Sequence, residues 1–178
     1  MTYEQLKHAI RAARDVSGDT ELLVFGSQAI LGTWPDAPEG VRASIEVDVQ
    51  AKNLPENTIL IDGNVGEESQ FHATHGFYVH GVSIESATLP DGWAARTVAV
   101  RDPHLTRGYT GHCLEAHDLA ASKLAAYREK DLEFVALLLL EGLIDRDTLL
   151  NRIAVLPADA ETKQRLARWV SAVADDIT

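Results

Sequence analysis

Two carboxylates lie one residue apart in the segment SIEVDVQ, residues 44–50. Polar and apolar side chains alternate through this segment, which predicts a β-strand with one buried and one polar face. Glu46 and Asp48 then share the polar face, with their α-carbons about 7 Å apart. Carboxylate oxygens are ligands that Mg²⁺ prefers, commonly together with substrate phosphates. The same alternation is also typical of a strand that simply exposes its polar face to water.

A second feature, the pair Gly26-Ser27, directly follows the apolar run LLVF at residues 22–25. This pattern predicts a short strand that turns into a short helix, where free backbone N–H groups favour an anion such as phosphate. Most Gly-Ser pairs are ordinary turns, so the pair gains meaning from the acids that follow it. An anion cradle together with metal-binding carboxylates is what phosphoryl or nucleotidyl transfer requires.

The order of these features resembles the nucleotidyltransferases of the DNA polymerase β superfamily, whose pattern is hydrophobic-Gly-(Gly/Ser), a spacer, then two acids one residue apart. The stretch Arg42-x-Ser44-x-Glu46-x-Asp48 is similar to the Arg-x-Thr-x-Asp-x-Asp stretch of the AbiEii-like and minimal nucleotidyltransferase group. The resemblance spans residues 20–140. This chain departs from the pattern at Glu46, where the family usually has Asp, and in its long spacer.

The resemblance implies a site for an NTP and for Mg²⁺ or Mn²⁺. Glu46 and Asp48 would hold the metal and act as catalytic residues. The other residues that it implies contact the nucleotide and its phosphates, and they are Gly26, Ser27, Arg42, Ser44 and Lys123. The acceptor would be a hydroxyl on a protein or on RNA. The AbiEii-like group further implies a toxin–antitoxin or phage-defence setting, in which a cognate antitoxin protein is a partner.

Support from a separate position comes from HDLAASKLAAYREKDLEFVALLL, residues 117–139. This segment is similar to the group's helix with a Lys among alanines, followed by a basic–acidic pair. Lys123 would meet the triphosphate and also act as a catalytic residue, and Asp131 matches the acid of the pair. The residue pattern alone also fits a surface lysine whose stem covers apolar atoms, and an Asp131 that caps the next helix.

A third carboxylate often completes such a metal site, and the candidates are Glu85 and Asp62. The segment FYVHGV instead has His80 where a carboxylate would be expected. Without a third acid the protein would hold one metal, or would be an inactive scaffold that binds nucleotides or proteins. A phosphohydrolase that uses the same carboxylates is a third reading. The three histidines at positions 72, 75 and 80 lack a cysteine partner, and we expect them to be surface or hydrogen-bonded residues rather than zinc ligands.

Helical and strand patterns divide the chain into a β-rich part and a helical part. Thr2-x-x-Gln5 and Gly18 bound a helix over residues 2–16. Further strands are predicted at 58–61, 77–84 and 96–101, and helices at 115–129, 131–141, 146–154 and 159–176. We therefore expect an α/β or α+β fold, in which a small mixed sheet with flanking helices spans residues 1–112. A C-terminal helical subdomain over residues 113–178 would pack on it.

Composition limits the remaining classes of function. The 178 residues suit one domain, and a net charge of -11 opposes a broad nucleic-acid-binding surface. The longest apolar run, residues 134–140, is far shorter than the roughly 20 residues of a membrane span. The charged N-terminal segment is unlike a signal peptide. Cys113 is the single cysteine, which excludes an internal disulfide and indicates a small buried residue. These features favour a cytoplasmic protein.

Overall fold

A five-stranded mixed sheet forms the centre of the fold in the computed structural model, which describes residues 1–177. The strands are β1 (Glu21–Phe25), β2 (Glu46–Ala51), β3 (Tyr78–Gly81), β4 (Val98–Arg101) and β5 (Thr110–Cys113). Their order across the sheet is β3-β2-β1-β5-β4. β1 pairs antiparallel with β2, and β4 with β5, whereas β1–β5 and β2–β3 are parallel.

Within the described part of the chain, residues 1–177, eight α-helices surround this sheet. They are α1 (Tyr3–Ser17), α2 (Ile30–Thr33), α3 (Thr58–Val65), α4 (Gln70–His75), α5 (Ala116–Ala126), α6 (Glu129–Leu140), α7 (Arg146–Ala154) and α8 (Ala160–Ile177). The first begins with the expected capping box, in which Thr2 and Gln5 satisfy each other's backbone N–H groups, and it ends at Gly18 in the left-handed region. The mixed sheet with flanking helices and a C-terminal helical group confirms the expected fold class.

One face of the sheet is buried under α1, α2 and α3. The alternation in β2 explains this, because Val47 and Val49 point to this face and are fully buried. Gly111 of β5 lies on the same face and lets α1 approach closely, since a Cβ there would lie 2.5 Å from Ile10 Cδ1. Burial of this face leaves the polar face of β2 and β3 free to line a site.

The four C-terminal helices pack on one another, and α5 also contacts α2. Their apolar residues continue the core of the sheet, since Leu119, Leu124 and Leu138 belong to the same buried cluster as Val24. α5 follows β5 directly, so the chain passes from the middle of the sheet into the helical group. This connection places α5 and α6 beside the polar face of the sheet, where they complete a cavity.

The prediction of a strand at residues 58–61 is wrong, because the segment TILI lies in helix α3. Pro55 begins a short 3₁₀ turn that leads into this helix. α3 packs tightly on β3 at Gly81, where a Cβ would lie only 2.3 Å from the Thr58 carbonyl oxygen. Tertiary packing therefore overrides the β-propensity of a short run of β-branched and aliphatic residues.

Two elements were not expected from the sequence. β5 has the unremarkable composition TGHC, yet it lies between β1 and β4. Helix α4 carries His72 and His75, in a segment for which no element was predicted. The strands expected at 77–84 and 96–101 are present but shorter. Cys113 is fully buried as expected, and burial raises the pKa of its thiol to about 12. Among residues 1–177, none of the helices combines the length and apolar character needed to cross a bilayer.

Candidate active site

Glu46 and Asp48 lie on the polar face of β2, as the alternation predicts. Asp48 is in register with two neighbouring residues, Phe25 at the end of β1 and His80 in β3. Side chains of residues directly paired in a sheet project from the same face. The strand pairing therefore brings Glu46, Asp48 and His80 together, just beyond the turn that follows β1.

The His80 ring lies between the two carboxylates. Its Nδ1 atom is 3.0 Å from Asp48 Oδ1 and 3.1 Å from Glu46 Oε1. One ligand atom from each of the three side chains lies within 4.8 Å of the other two. Within residues 1–177 this is the one cluster of three or more His, Cys, Asp or Glu side chains that meets this condition. His80, which we expected to be a surface or hydrogen-bonded residue, thus joins the acid pair.

The donor set fits a divalent cation. Ions that bind ligands at about 2.1 Å in octahedral geometry place adjacent ligand atoms about 3.0 Å apart. The two distances from His80 Nδ1 match this spacing, and two carboxylates supply negative charge. The side chains of Glu46, Asp48 and His80 are 38%, 26% and 41% exposed, so water or substrate can reach the open side. Burial and the nearby charge of Asp48 raise the pKa of Glu46 above its usual value.

Gly26 closes one side of this cluster without filling it. Its backbone has φ 74° and ψ -177°, a conformation that residues with a side chain rarely adopt. A Cβ at this position would lie 2.0 Å from Asp48 Oδ2. Only glycine leaves space for the Asp48 carboxylate here. Ser27 follows in a short 3₁₀ turn, Ser27–Ala29, and also lines the cavity.

Cationic side chains lie on the other side of the cavity, on α5 and at the start of α6. Lys123 Nζ is 3.1 Å from Asp131 Oδ1, and Arg128 Nε is 2.6 Å from Asp131 Oδ2. Asp131 is 1% exposed, so its carboxylate is a buried anchor for both cations. Burial alone would raise the pKa of Asp131, but the hydrogen bonds from Arg128 and the charge of Lys123 outweigh it and hold the pKa below its usual range. Lys130 adds a third cation to the lining.

The cavity between the sheet and these helices has a volume of about 820 Å³. Small-molecule sites typically measure about 300 to 1,000 Å³. Its lining combines the acidic cluster, the cations and an apolar wall that includes Val41, Phe134 and Leu137. Acids that can hold a metal, cations that can neutralise phosphate and an apolar surface that can contact a base or sugar therefore face one space.

Comparison with protein families gives a match over residues 3–174 to the family described as nucleotidyltransferase of unknown function (DUF6036). The match covers nearly the whole chain. The chain belongs to this family. Searches of curated proteins and of solved structures give no match. The family description supports the nucleotidyltransferase resemblance that the Gly-Ser turn and the acid pair indicated, and it leaves the substrate open.

Most of the expected site residues meet at the cavity. Those that line it are Gly26, Ser27, Ser44, Glu46, Asp48 and Lys123. The Ser44 hydroxyl accepts a hydrogen bond from the Glu46 backbone N–H at 3.2 Å, so it also orders the start of β2. Arg42 is not among the lining residues. Its guanidinium donates to the backbone carbonyls of Ala37 and Met1, at 2.9 and 3.4 Å, and so ties the loop to the N-terminus.

The candidates for a third acidic ligand lie elsewhere in the protein. Asp62 is on α3, which packs against the opposite face of the sheet, and Glu85 lies in a short 3₁₀ turn after β3. Neither lines the cavity. His72 and His75 also lie apart from the acid pair: the His72 ring accepts a hydrogen bond from the Glu68 N–H, and the His75 ring packs against His8.

Sequence reasoning missed the contribution of Arg128 and Lys130 to the site. Both follow α5 by a few residues, where a helix C-terminus favours cations on dipole grounds alone. The basic–acidic pair of the AbiEii-like group could have indicated these cations, because Asp131 pairs with both Arg128 and Lys123. This pair links α5 to α6 and keeps the cations beside the acids, close enough for Lys130 to act on Glu46 electrostatically.

Proposed function

We propose that this protein is a metal-dependent nucleotidyltransferase that transfers a nucleotide from an NTP to a hydroxyl of a protein or of RNA. The observation that carries the proposal is that the acid pair and Lys123 line one cavity, with the Gly26-Ser27 turn between strand and helix beside them. A triphosphate needs both the acid pair and the cation of such a site. Its charge must be neutralised, and its reacting phosphorus must be held beside the acceptor.

Glu46 and Asp48 would hold Mg²⁺ or Mn²⁺ in this proposal. The donor chemistry and the space that Gly26 leaves beside Asp48 both fit a divalent ion. Such an ion, when bound, neutralises charge on the phosphates and polarises the reacting phosphoryl group. The protein's own part is to hold the two carboxylates on one strand, one residue apart, so that they need little rearrangement when substrate arrives.

The chain's other residues bind and orient the triphosphate. Lys123 and Arg128 are already fixed by the buried Asp131 carboxylate, so they lose little conformational freedom when they contact phosphate oxygens. Gly26 exposes its backbone next to Asp48, and the Ser27 hydroxyl offers a hydrogen-bond donor. Together these groups would hold the α-phosphate near the acid pair and the β- and γ-phosphates near the cations.

The chemical step follows from this arrangement. The acceptor hydroxyl oxygen attacks the α-phosphorus, and the bond from that phosphorus to the bridging oxygen of the β-phosphate breaks. Pyrophosphate leaves with the electrons of that bond, and its charge is neutralised by Lys123, Arg128 and Lys130. The hydroxyl proton leaves to solvent by way of a carboxylate of the acid pair. The apolar wall at Val41, Phe134 and Leu137 limits water on one side and so favours transfer over hydrolysis.

The finer assignment that we propose is the AbiEii-like group of the polymerase β superfamily, with a toxin role and a cognate antitoxin. The stretch from Arg42 to Asp48 and the lysine helix support this grouping. A net charge of -11 suits a basic partner, either an antitoxin surface or a basic acceptor protein. Co-purification of the chain with its genomic neighbours, followed by growth assays with and without them, tests the toxin role separately from the chemistry.

The test of the chemistry is a transfer assay with each NTP labelled at the α-phosphate, with Mg²⁺ or Mn²⁺, and with total protein or total RNA as acceptor. We expect label in an acceptor and stoichiometric pyrophosphate, both of which require the metal. Asp48→Asn should abolish both while the protein stays folded. Asp62→Asn is the matched control, because Asp62 lies on α3 outside the cavity and its substitution should leave transfer unchanged.

The same assay separates the alternatives. Release of inorganic phosphate without labelled acceptor would identify a phosphohydrolase. NTP binding that is indifferent to metal, with neither pyrophosphate nor phosphate released, would identify a nucleotide-binding scaffold without turnover. Equal transfer by wild type and Asp48→Asn would contradict the proposed role of the acid pair.

A further inference from the structure

We propose that His80 is a ligand of the divalent cation and that it makes this site prefer Mn²⁺ to Mg²⁺ more strongly than a site built only from carboxylates would. This inference rests on the proposed function in one respect only, namely that a divalent cation binds at Glu46 and Asp48. It concerns a residue at which the chain departs from an all-acidic ligand set.

The register of β2 and β3 places His80 on the same face of the sheet as the two carboxylates. β2 and β3 run parallel, and Asp48 is paired directly with His80. The imidazole must therefore project from the same face as the carboxylates. Gly81 follows His80 and lets β3 pack against α3, since any Cβ at that position would collide with the Thr58 carbonyl oxygen. The backbone that carries His80 is thus held in place from the opposite face of the sheet.

The imidazole of His80 is oriented with one ring nitrogen toward both carboxylates. Nδ1, rather than Nε2, faces the carboxylates, at 3.0 Å from Asp48 Oδ1 and 3.1 Å from Glu46 Oε1. With a proton on Nδ1 this contact is a hydrogen bond to Asp48. With the proton on Nε2, the Nδ1 lone pair points between the two acids, where a shared cation would lie. The same spacing serves both tautomers, so an ion can bind with little movement of the ring.

The chemistry of the donor set favours Mn²⁺ over Mg²⁺. Mg²⁺ favours oxygen ligands and retains its water tightly, whereas first-row transition ions accept imidazole nitrogen readily. Two carboxylates and one imidazole form a mixed set that Mn²⁺ tolerates and Mg²⁺ disfavours. The open side of the cluster leaves room for water or phosphate oxygens, which suits an octahedral ion rather than a closed structural site.

The experiment is electron spin echo spectroscopy on full-length protein loaded with Mn²⁺ alone, combined with competition between Mn²⁺ and Mg²⁺. Wild type should show coupling of the bound Mn²⁺ to a ¹⁴N nucleus, and ¹⁵N-histidine labelling should change that coupling. His80→Gln should remove it. His80→Asp should also remove it, and should lower the preference for Mn²⁺ over Mg²⁺ by about tenfold, since it restores an all-oxygen set.

Controls locate the signal. Asp48→Asn should weaken Mn²⁺ binding, which ties the ion to this cluster. His104→Gln changes an exposed histidine in the loop after β4 and should keep both the nitrogen coupling and the metal preference. The wild-type spectrum with ¹⁵N-histidine shows whether a histidine binds the ion, and Asp48→Asn places that ion at this cluster, so the test stands even where a His80 variant does not fold.

Two results would overturn the inference: Mn²⁺ bound without nitrogen coupling in the wild type, or a metal preference that His80→Asp leaves unchanged. Absence of Mn²⁺ binding would overturn it as well. The outcome is separable from that of the proposed function. Nucleotidyl transfer without nitrogen coupling would reject His80 as a ligand and keep the reaction, whereas nitrogen coupling without transfer to any acceptor would keep the metal site and reject the reaction.

Discussion

The Asp48 carboxylate occupies the space that a side chain at Gly26 would need. A Cβ at residue 26 would lie 2.0 Å from Asp48 Oδ2, and the Gly26 backbone has a positive φ of 74°. The glycine of the turn and the second acid of the strand are therefore one structural unit, although 21 residues lie between them in the sequence. This contact explains in physical terms why a Gly-Ser turn and an acid pair occur together.

Gly26→Ala should therefore impair metal binding as well as stability. The substitution strains the backbone and pushes the Asp48 carboxylate away from Glu46 and His80. We expect a loss of about 2 kcal/mol in the free energy of unfolding and at least a severalfold weaker binding of Mn²⁺. Urea unfolding and titration of Mn²⁺ measure the two effects.

Gly18→Ala is the control for Gly26→Ala. Gly18 also has a positive φ, 75°, but a Cβ there meets no atom within 4 Å. It should cost about 1 kcal/mol of stability and leave Mn²⁺ binding unchanged. Equal metal affinity in the two variants would show that the close approach at Asp48 has no role in the site.

Lys123→Gln should weaken nucleotide binding without weakening metal binding. The lysine lines the cavity from α5, whereas the acids are on β2, so each group acts on a different part of the substrate. We expect at least about tenfold loss of affinity for an NTP, because one charge-assisted contact to phosphate is removed. Lys163→Gln, on α8, is the control. Calorimetry with a non-hydrolysable NTP measures the effect, and an unchanged affinity would remove Lys123 from the site.

Asp131→Asn should release both cations that Asp131 holds. Its carboxylate is buried and paired with Lys123 and Arg128. Arg128 is 59% exposed, so the pair is only partly desolvated, and its loss should cost about 1 to 2 kcal/mol in the free energy of unfolding near neutral pH. NTP affinity should fall too, because Lys123 and Arg128 lose their common anchor. Glu129→Gln, at an exposed position on the first turn of the same helix, should have little effect on either quantity.

The stability effect of Asp131→Asn should depend on pH with a defined sign. The folded protein holds the pKa of Asp131 below its usual value, so the ionised carboxylate stabilises the fold above the pKa of the unfolded chain. That contribution is lost as the pH falls through the folded pKa. The difference between wild type and Asp131→Asn should therefore shrink below about pH 4. A difference that grew on acidification would contradict the ion-pair account.

His117→Gln should show the opposite pH dependence. The His117 ring is paired with Glu115, at 2.7 Å, and with Asp145, at 3.2 Å. Burial alone would lower its pKa, but the two carboxylates outweigh burial and raise the pKa above its ordinary value. The charged ring stabilises the fold fully below the unfolded pKa, and this contribution is lost as the pH rises through the folded pKa.

The measurement for His117 is urea unfolding of wild type and His117→Gln at about pH 6 and about pH 9. Wild type should exceed the variant by about 1 kcal/mol more at the lower pH. These residues connect α5 to the start of α7, outside the cavity lining, so metal binding should be the same in both proteins. A stability difference that is larger at the higher pH would exclude the pairing.

Local patterns predicted those parts of the fold that depend on local physics. The alternation in residues 44–50 correctly placed Glu46 and Asp48 on one face, and the capping residues bounded α1. The composition also predicted the C-terminal helices. The Gly-Ser turn and the acid pair predicted a nucleotidyltransferase, and the family match supports that interpretation.

The features that sequence patterns missed depend on contacts between distant segments. TILI has strand-like residues, but α3 forms there because Gly81 lets a helix pack against β3. β5 lacks a strand signal, and pairing on both sides with β1 and β4 forms it. The approach of His80 to Asp48 depends on the register of two parallel strands, which no local pattern reveals. Likewise, the orientation of Arg42 follows from the position of the N-terminus.

A crystal structure of the protein with Mn²⁺ and a non-hydrolysable NTP tests the proposed site most directly. We expect an anomalous peak for Mn²⁺ bounded by Glu46, Asp48 and His80, with the α-phosphate beside Gly26 and Ser27 and the outer phosphates within reach of Lys123 and Arg128. Mn²⁺ or nucleotide bound elsewhere, with the acid pair open to solvent and free of ligand, would contradict it.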